Sequence, residues 1–191
     1  MSLVPVFKIG LWNAWLPMSV FLLQMLVIMA GDHRIMEKSH VPAEAKHQGL
    51  EKHTGSVANA VWMLALIYSV FLPLQPGFPF FFDGLAVFAA GLILLIIATA
   101  NFLTTPVDRL ITQGAYRFSR HPMYLATLLI CLGTGLAAAS WIFLVLAVLM
   151  FLCFRLEAGL EERYCLEKYG DTYREYAGRT PRWLGLPKRG K

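Results

Sequence analysis

The residues best suited to chemistry lie in one short segment, 114–124, directly before a long apolar run. It contains two arginines, a histidine and two tyrosines: Tyr116, Arg117, Arg120, His121 and Tyr124. Pro122 has a fixed φ and no N–H, so it suits the first turn of a helix and keeps His121 out of the α region. The start of that helix, with its unpaired N–H groups, is a place where an anionic group binds readily.

A second polar cluster, Glu157, Glu161 and Glu162, follows the same apolar run. Glu157 and Glu161 are four residues apart, so on a helix they share one face and repel each other. A cationic partner is therefore expected opposite them. The candidates are Arg155 and Arg163, the basic residues of the loop before 122, or a bound cation.

Composition indicates a membrane protein rather than a nucleic-acid-binding one. The chain is 57% hydrophobic and 15% charged, whereas soluble domains have about 45–50% and about 25%. The net charge of +5 comes from loops between apolar runs, which membrane topology explains without a nucleic-acid partner. Three histidines of the first loop are seven residues apart, a spacing unlike that of metal ligands, so no metal site is predicted.

The apolar runs predict an all-α, polytopic integral membrane protein with one domain of five transmembrane helices. The last two spans come from one run, 123–154, which as a single helix would be about 48 Å long and exceed a core of about 30 Å. Small residues at 133–135 and 137–140 mark where this run folds back. The predicted spans are about 9–30, 57–74, 84–103, 123–137 and 140–154, followed by a helical tail, 155–191.

Charge placement predicts the orientation of these spans. With five spans, sixteen of the 17 Lys and Arg residues fall on one side, and only Lys8 falls on the other. The positive-inside rule then places the N-terminus outside and the C-terminal tail in the cytosol. Both polar clusters face the same leaflet in this arrangement, so the tail can complete one cytosolic pocket.

Two motifs resemble the signature of the isoprenylcysteine carboxyl methyltransferase and phospholipid methyltransferase superfamily. The first is Gly114-x-Tyr116-Arg117-x-x-Arg120-His121-Pro122-Met123-Tyr124. The second is Glu161-Glu162, followed by Tyr169-Gly170-x-x-Tyr173-x-x-Tyr176 and Arg179-x-Pro181. The resemblance covers about 101–184, and the N-terminal half has no recognisable signature.

The resemblance implies S-adenosylmethionine as methyl donor, with S-adenosylhomocysteine as product. Carried over residue by residue, it implies these cofactor contacts: Tyr116, His121, Pro122, Met123, Tyr124 and Glu161. Three further residues match positions that line the same pocket: Asn101, Leu110 and Ile111.

The resemblance also implies a lipophilic or prenylated acceptor that enters from the bilayer, most simply the carboxylate of an isoprenylated cysteine. The eukaryotic carboxyl methyltransferases have an arginine before the glutamates, where an ungapped match puts Glu157; the nearest basic residue is Arg155. Either Arg155 orients the carboxylate, or the acceptor differs. A phospholipid amine would need a base, for which Glu157 or Glu162 is the candidate.

Two alternatives belong to other classes. The same C-terminal pattern resembles sterol and steroid reductases, which use NADPH. A non-enzymatic membrane protein could also have such residues, since juxtamembrane Arg, His and Tyr often only anchor a helix at the interface.

Overall fold

The computed structural model describes residues 7–30, 51–106 and 108–187, and all its regular elements there are helical. An isolated β-bridge pairs Asn13 with Pro73. The α-helices are α1 Trp15–Met18, α2 Val20–Met29, α3 Glu51–Val70, α4 Phe81–Thr104, α5 Pro122–Ala137, α6 Trp141–Tyr169 and α7 Asp171–Arg179, with a 3-10 turn at Gly114–Arg117. The all-α prediction is thus confirmed for the described residues. The histidines for which no metal site is predicted, at 33, 40 and 47, lie outside them.

Among the residues that the structure describes, two helices are long and apolar enough to cross a membrane. They are α4, with 24 residues, and α6, with 29 residues. Shorter apolar helices occur at Trp15–Met29, Gly55–Val70 and Pro122–Ala137. Many large apolar side chains of these helices are exposed, including Leu22 and Ile96 at about 60%. Such exposure is typical of a surface that faces lipid rather than water.

Helices α4 and α5 make the most extensive contact between elements in the described structure. Their backbones approach so closely that a Cβ added at Gly133 would lie 2.4 Å from the Phe88 nitrogen and 2.6 Å from the Gly84 oxygen. Small residues at such positions let two helices pack by van der Waals contact where the hydrophobic effect is absent. This pair forms the frame of the site, because α5 begins directly after His121 and α4 ends beside the 3-10 turn.

We expect Gly133→Ala to lower the free energy of unfolding by about 1–3 kcal/mol, because the backbone of α4 would have to move away. The matched control is Gly159→Ala in α6, where an added Cβ meets nothing within 4 Å. That control should be neutral or slightly stabilising, since alanine is the better helix former by about 1 kcal/mol. Unfolding in detergent checks both variants, and equal stability of the two would contradict the close α4–α5 packing.

The apolar run 123–154 divides into two helices, as predicted, but the break is confined to 138–140. Ala139 has a φ of +50°, and the Ser140 hydroxyl caps α6 by accepting a hydrogen bond from the Phe143 N–H at 3.3 Å. The glycines at 133 and 135, which the sequence analysis took as markers of the fold-back, lie inside α5 instead of at the turn. Close packing requires a small residue at both positions: Gly133 packs against α4, and Gly135 packs against Leu144.

Helix α6 continues without interruption from the apolar run into the polar tail. It starts at Trp141 and passes the predicted boundary at 154 without a break. It ends, as predicted, at Gly170, whose φ of +53° suits a glycine after a helix. One helix therefore carries both the last apolar segment and the glutamate cluster.

Candidate active site

The 3-10 turn Gly114–Arg117 is fixed to the end of α4 by Asn101. The Asn101 Oδ1 accepts a hydrogen bond from the Ala115 N–H at 3.0 Å. Gly114 has a φ of +58°, and a Cβ on it would lie 2.1 Å from the same oxygen. Only glycine fits this position, and the turn it permits directs Tyr116 towards the cavity described below.

The segment before α5 holds His121 at the start of the helix. Pro122 is the first helical residue, and His121 has a φ of −128° and a ψ of 59°, outside the α region as predicted. The Ser119 hydroxyl accepts a hydrogen bond from the His121 N–H at 3.1 Å. The His121 side chain is buried, so its ring needs hydrogen-bond partners within the protein.

Those partners are two carboxylates of α6. His121 Nδ1 lies 3.3 Å from Glu161 Oε2, and Nε2 lies 3.1 Å from Glu162 Oε1. Ionised carboxylates only accept hydrogen bonds, so this arrangement favours a ring with an N–H at both nitrogens, as in imidazolium. Burial alone would lower the pKa of His121, but the hydrogen bonds and charges of Glu161 and Glu162 raise it above its usual 6.5.

Glu162 is at the centre of an ion cluster. Arg120 NH1 lies 3.2 Å from Glu162 Oε1, and Arg182 donates from Nε to the same oxygen at 2.9 Å and from a terminal nitrogen to Oε2. Burial alone would raise the pKa of Glu162, but hydrogen bonds from His121 and Arg182 and the charge of Arg120 lower it to about 2. The cationic partners of Glu162 thus include Arg120, from the loop before α5, and Arg182, which the sequence analysis did not single out.

Aromatic rings form one wall of the site. The ring of Tyr124 stacks on His121, with centroids 5.6 Å apart and planes 6° apart, and on Phe154 at 4.5 Å. Its hydroxyl donates to Glu161 Oε1. From the C-terminal segment, Trp183 lies 5.9 Å from His121 and 4.8 Å from Phe151. The imidazole is therefore enclosed by aromatic rings on its faces and by carboxylates at its nitrogens.

These elements surround a cavity of about 330 Å³. Most of the residues predicted for the site line it: Leu110, Ile111, Tyr116, His121, Pro122, Met123, Tyr124, Glu161 and Glu162. Three do not. Asn101 supports the turn from behind, Arg155 is exposed on α6, and Glu157 is half-buried, near enough to Tyr124 for its charge to act on the phenol.

The cavity also has lining residues that the sequence analysis did not assign to it, although four of them, Arg120, Tyr169, Tyr173 and Tyr176, belong to the two motifs. Four of the unassigned residues, Tyr164, Cys165, Lys168 and Tyr169, lie on α6. The first three are three, four and seven residues after Glu161, so helical spacing could have found them. The other unassigned residues are Ile28, Phe102, Arg109, Arg120, Tyr173 and Tyr176.

Arg120 combines two features that matter for a ligand. Its guanidinium contacts Glu162, and its buried Nε has no hydrogen-bond partner in the part of the chain that the structure describes. An unpaired buried donor at a cavity wall provides a position for an acceptor group of a ligand. The same part of the chain contains no group of three or more His, Cys, Asp or Glu residues that could hold a metal ion.

Comparison with known proteins places this geometry in context. A family model described as phospholipid methyltransferase matches residues 84–172, which include α5 and α6 with His121 and both site glutamates. The protein-S-isoprenylcysteine O-methyltransferase of Schizosaccharomyces pombe is 29% identical over 79 residues. That match covers 41% of this chain and 33% of the relative's length. Both matches support the resemblance of this chain to the superfamily that contains the isoprenylcysteine carboxyl methyltransferases and the phospholipid methyltransferases.

Proposed function

We propose that the protein transfers a methyl group from S-adenosylmethionine to a lipophilic acceptor at the membrane surface. The acceptor that we favour is the carboxylate of an isoprenylated cysteine. One observation carries the proposal: the cavity brings together His121, Tyr124 and Glu161, from two separate motifs of the superfamily. The name of the yeast relative supports the choice of acceptor.

The residues of the cavity fit S-adenosylmethionine by their chemistry. The volume of the cavity, about 330 Å³, is within the usual range for sites that bind small ligands, about 300–1,000 Å³. Arg120, with its unpaired Nε, suits a carboxylate, and Glu161 suits an ammonium or hydroxyl group. The tyrosine faces suit an adenine ring or a cation. When bound, S-adenosylmethionine would supply an electrophilic methyl group on a sulfonium.

A C-terminal carboxylate acceptor requires orientation rather than deprotonation. Its pKa is about 3.3–3.7, so it is already ionised at neutral pH and needs no general base. The protein would provide a cation and exclude water. Arg109 and Arg120 line the cavity and Arg155 does not, so we assign the orienting task to one of the first two.

The second candidate acceptor is a phospholipid amine, which the description of the matching family model favours. An amine is mostly protonated at neutral pH and requires a base before it can accept a methyl group. Glu162, with a pKa of about 2 and three cationic neighbours, is a weak base. Glu157 is then the better candidate of the two predicted bases.

We further propose that the five apolar helices of the described structure, with α1 and α2 counted as one, each span the bilayer. The N-terminus would lie outside, and the C-terminal tail and active site would lie in the cytosol, as the positive-inside rule requires. The acceptor would enter from the bilayer beside α2, because Ile28 is the residue of that helix that reaches the cavity.

Calorimetric titration of the detergent-purified protein with S-adenosylmethionine tests the proposed function. We expect wild type to bind and Glu161→Gln to bind at least about tenfold more weakly, because a charge-assisted hydrogen bond is worth about 1.5–3 kcal/mol. The matched control is Glu175→Gln, the same change at an exposed glutamate of α7 that pairs with Arg179. It should bind as wild type does.

The alternatives give different results in the same titration. A wild-type protein that binds NADPH but not S-adenosylmethionine would be a reductase, and one that binds neither would support a non-enzymatic role. If binding is found, membranes incubated with methyl-labelled donor identify the acceptor class. A base-labile methyl ester would support the prenylcysteine carboxylate, and base-stable label in lipid would select the phospholipid amine.

A further inference from the structure

The C-terminal strap, residues 180–185, is attached to the loop before α5 by its backbone. The Arg120 N–H donates to the Pro181 oxygen at 3.0 Å, and the Gly185 N–H donates to the Phe118 oxygen at 3.1 Å. Neither bond uses the side chain of Arg182. The strap therefore keeps its attachment when only that side chain is changed.

From this strap Arg182 extends to α6 and binds both oxygens of Glu162. The fork of Nε and a terminal nitrogen fixes the plane of the carboxylate, which a single contact would leave free to rotate. Arg182 is not among the residues that line the cavity. The hydrogen bonds of its side chain to a cavity-lining residue are those to Glu162.

The oxygen that Arg182 fixes is the one that binds the imidazole. Glu162 Oε1 accepts from Arg182 Nε at 2.9 Å and lies 3.1 Å from His121 Nε2. The opposite nitrogen of the ring lies 3.3 Å from Glu161 Oε2. The position of the ring between the two glutamates thus depends on the orientation of both carboxylates.

We propose that Arg182 is a positioning residue for His121. It fixes the Glu162 carboxylate so that Oε1 accepts the hydrogen bond from His121 Nε2, and the imidazole ring stays between the two glutamates. The hydrogen bond itself can be observed without a ligand. Its consequence for cofactor binding rests on the proposed function, so the two are tested separately.

NMR of the full-length protein in detergent, labelled with ¹⁵N-histidine, tests the positioning directly. Ring N–H protons held by carboxylates exchange slowly with water and give downfield signals, which His121→Ala assigns by their loss. We expect the Nε2–H signal of His121 in wild type, its loss through fast exchange in Arg182→Ala, and a partial signal in Arg182→Lys, which keeps the charge without the fork. An Arg182→Ala spectrum identical to that of wild type would overturn the proposal.

The matched control is Arg179→Ala, a nearby arginine that pairs with Glu175 on the exposed face of α7. It should leave the His121 signal unchanged, since it has no bond to Glu162. A loss of the signal in Arg179→Ala equal to that in Arg182→Ala would mean that any disturbance of the C-terminal region removes it. That result would also overturn the proposal.

The consequence of this positioning for cofactor binding is measured by titration with S-adenosylmethionine. We expect Arg182→Ala to weaken it about tenfold and the double variant Arg182→Ala/Glu162→Gln to be no weaker than Glu162→Gln alone, since the arginine acts only through that carboxylate. Additive losses would show that Arg182 acts by another route and overturn the proposal. If wild type binds no S-adenosylmethionine, the proposed function fails, while the NMR result still decides the role of Arg182.

Discussion

Replacement of Glu162 by alanine should lower the free energy of unfolding by about 3–5 kcal/mol, the usual cost of removing one partner from a buried ion pair. The Glu162 side chain is only 11% exposed, and it separates Arg120, Arg182 and His121. Without it, the largely buried Arg120 and His121 and the half-exposed Arg182 would face one another with no carboxylate between them. Glu162→Gln should cost less, because the amide oxygen still accepts a hydrogen bond.

Denaturant unfolding in detergent measures this loss. Glu175→Ala provides the control, since Glu175 is 63% exposed and forms an ion pair with Arg179 within α7. Exposed pairs contribute about 0–1 kcal/mol, so this variant should remain close to wild type. If Glu162→Ala and Glu175→Ala were equally stable, the cluster around Glu162 would make no net contribution to folding.

Acid and alkali should each weaken the same cluster, through different residues. The folded pKa of Glu162, about 2, lies below its usual 4.5, so the stabilisation by Glu162 is present above about pH 4.5 and is lost as the pH falls towards 2. The folded pKa of His121 lies above its usual 6.5, so the stabilisation by His121 is complete below about pH 6.5 and is lost as the pH rises through the folded value. The two contributions are both complete between about pH 4.5 and 6.5.

Unfolding free energies measured at a series of pH values check this dependence. Glu162→Gln should flatten the decline on the acid side, and His121→Ala should flatten the decline above pH 6.5. Glu175→Gln, at an exposed position, should retain the wild-type profile. If the stability profiles of Glu162→Gln and His121→Ala both ran parallel to that of wild type, neither group would govern the pH dependence of stability.

The sequence predicted the parts of the site that depend on local rules. Pro122 predicted the helix start and the non-helical backbone of His121, and both are present because they follow from the proline ring itself. Gly170 predicted the end of α6 because a positive φ is accessible to glycine. The spacing of Glu157 and Glu161 on one helix predicted that a cationic partner would lie opposite the glutamate cluster, and Arg120 lies opposite Glu162.

The missed parts depend on the path of the chain in three dimensions. Nothing within the sequence around Arg182 indicates that the strap returns to the loop before α5, so its fork on Glu162 could not be inferred. Asn101 was placed at the cavity by resemblance, yet it holds the turn from behind. Gly133 was interpreted as part of a turn. The sequence alone does not distinguish a glycine that permits close helix packing from a glycine that ends a helix.

The continuity of α6 has a consequence for how the protein would respond to its membrane. A helix of 29 residues is a stiff rod about 43 Å long, longer than a hydrocarbon core of about 30 Å. In the proposed membrane arrangement its apolar half would set the depth of the helix in the bilayer, and its polar half carries Glu161 and Glu162. Bilayer thickness and helix tilt would therefore set the height of these carboxylates relative to His121, so the lipid composition would act on the catalytic geometry without any contact with the cavity.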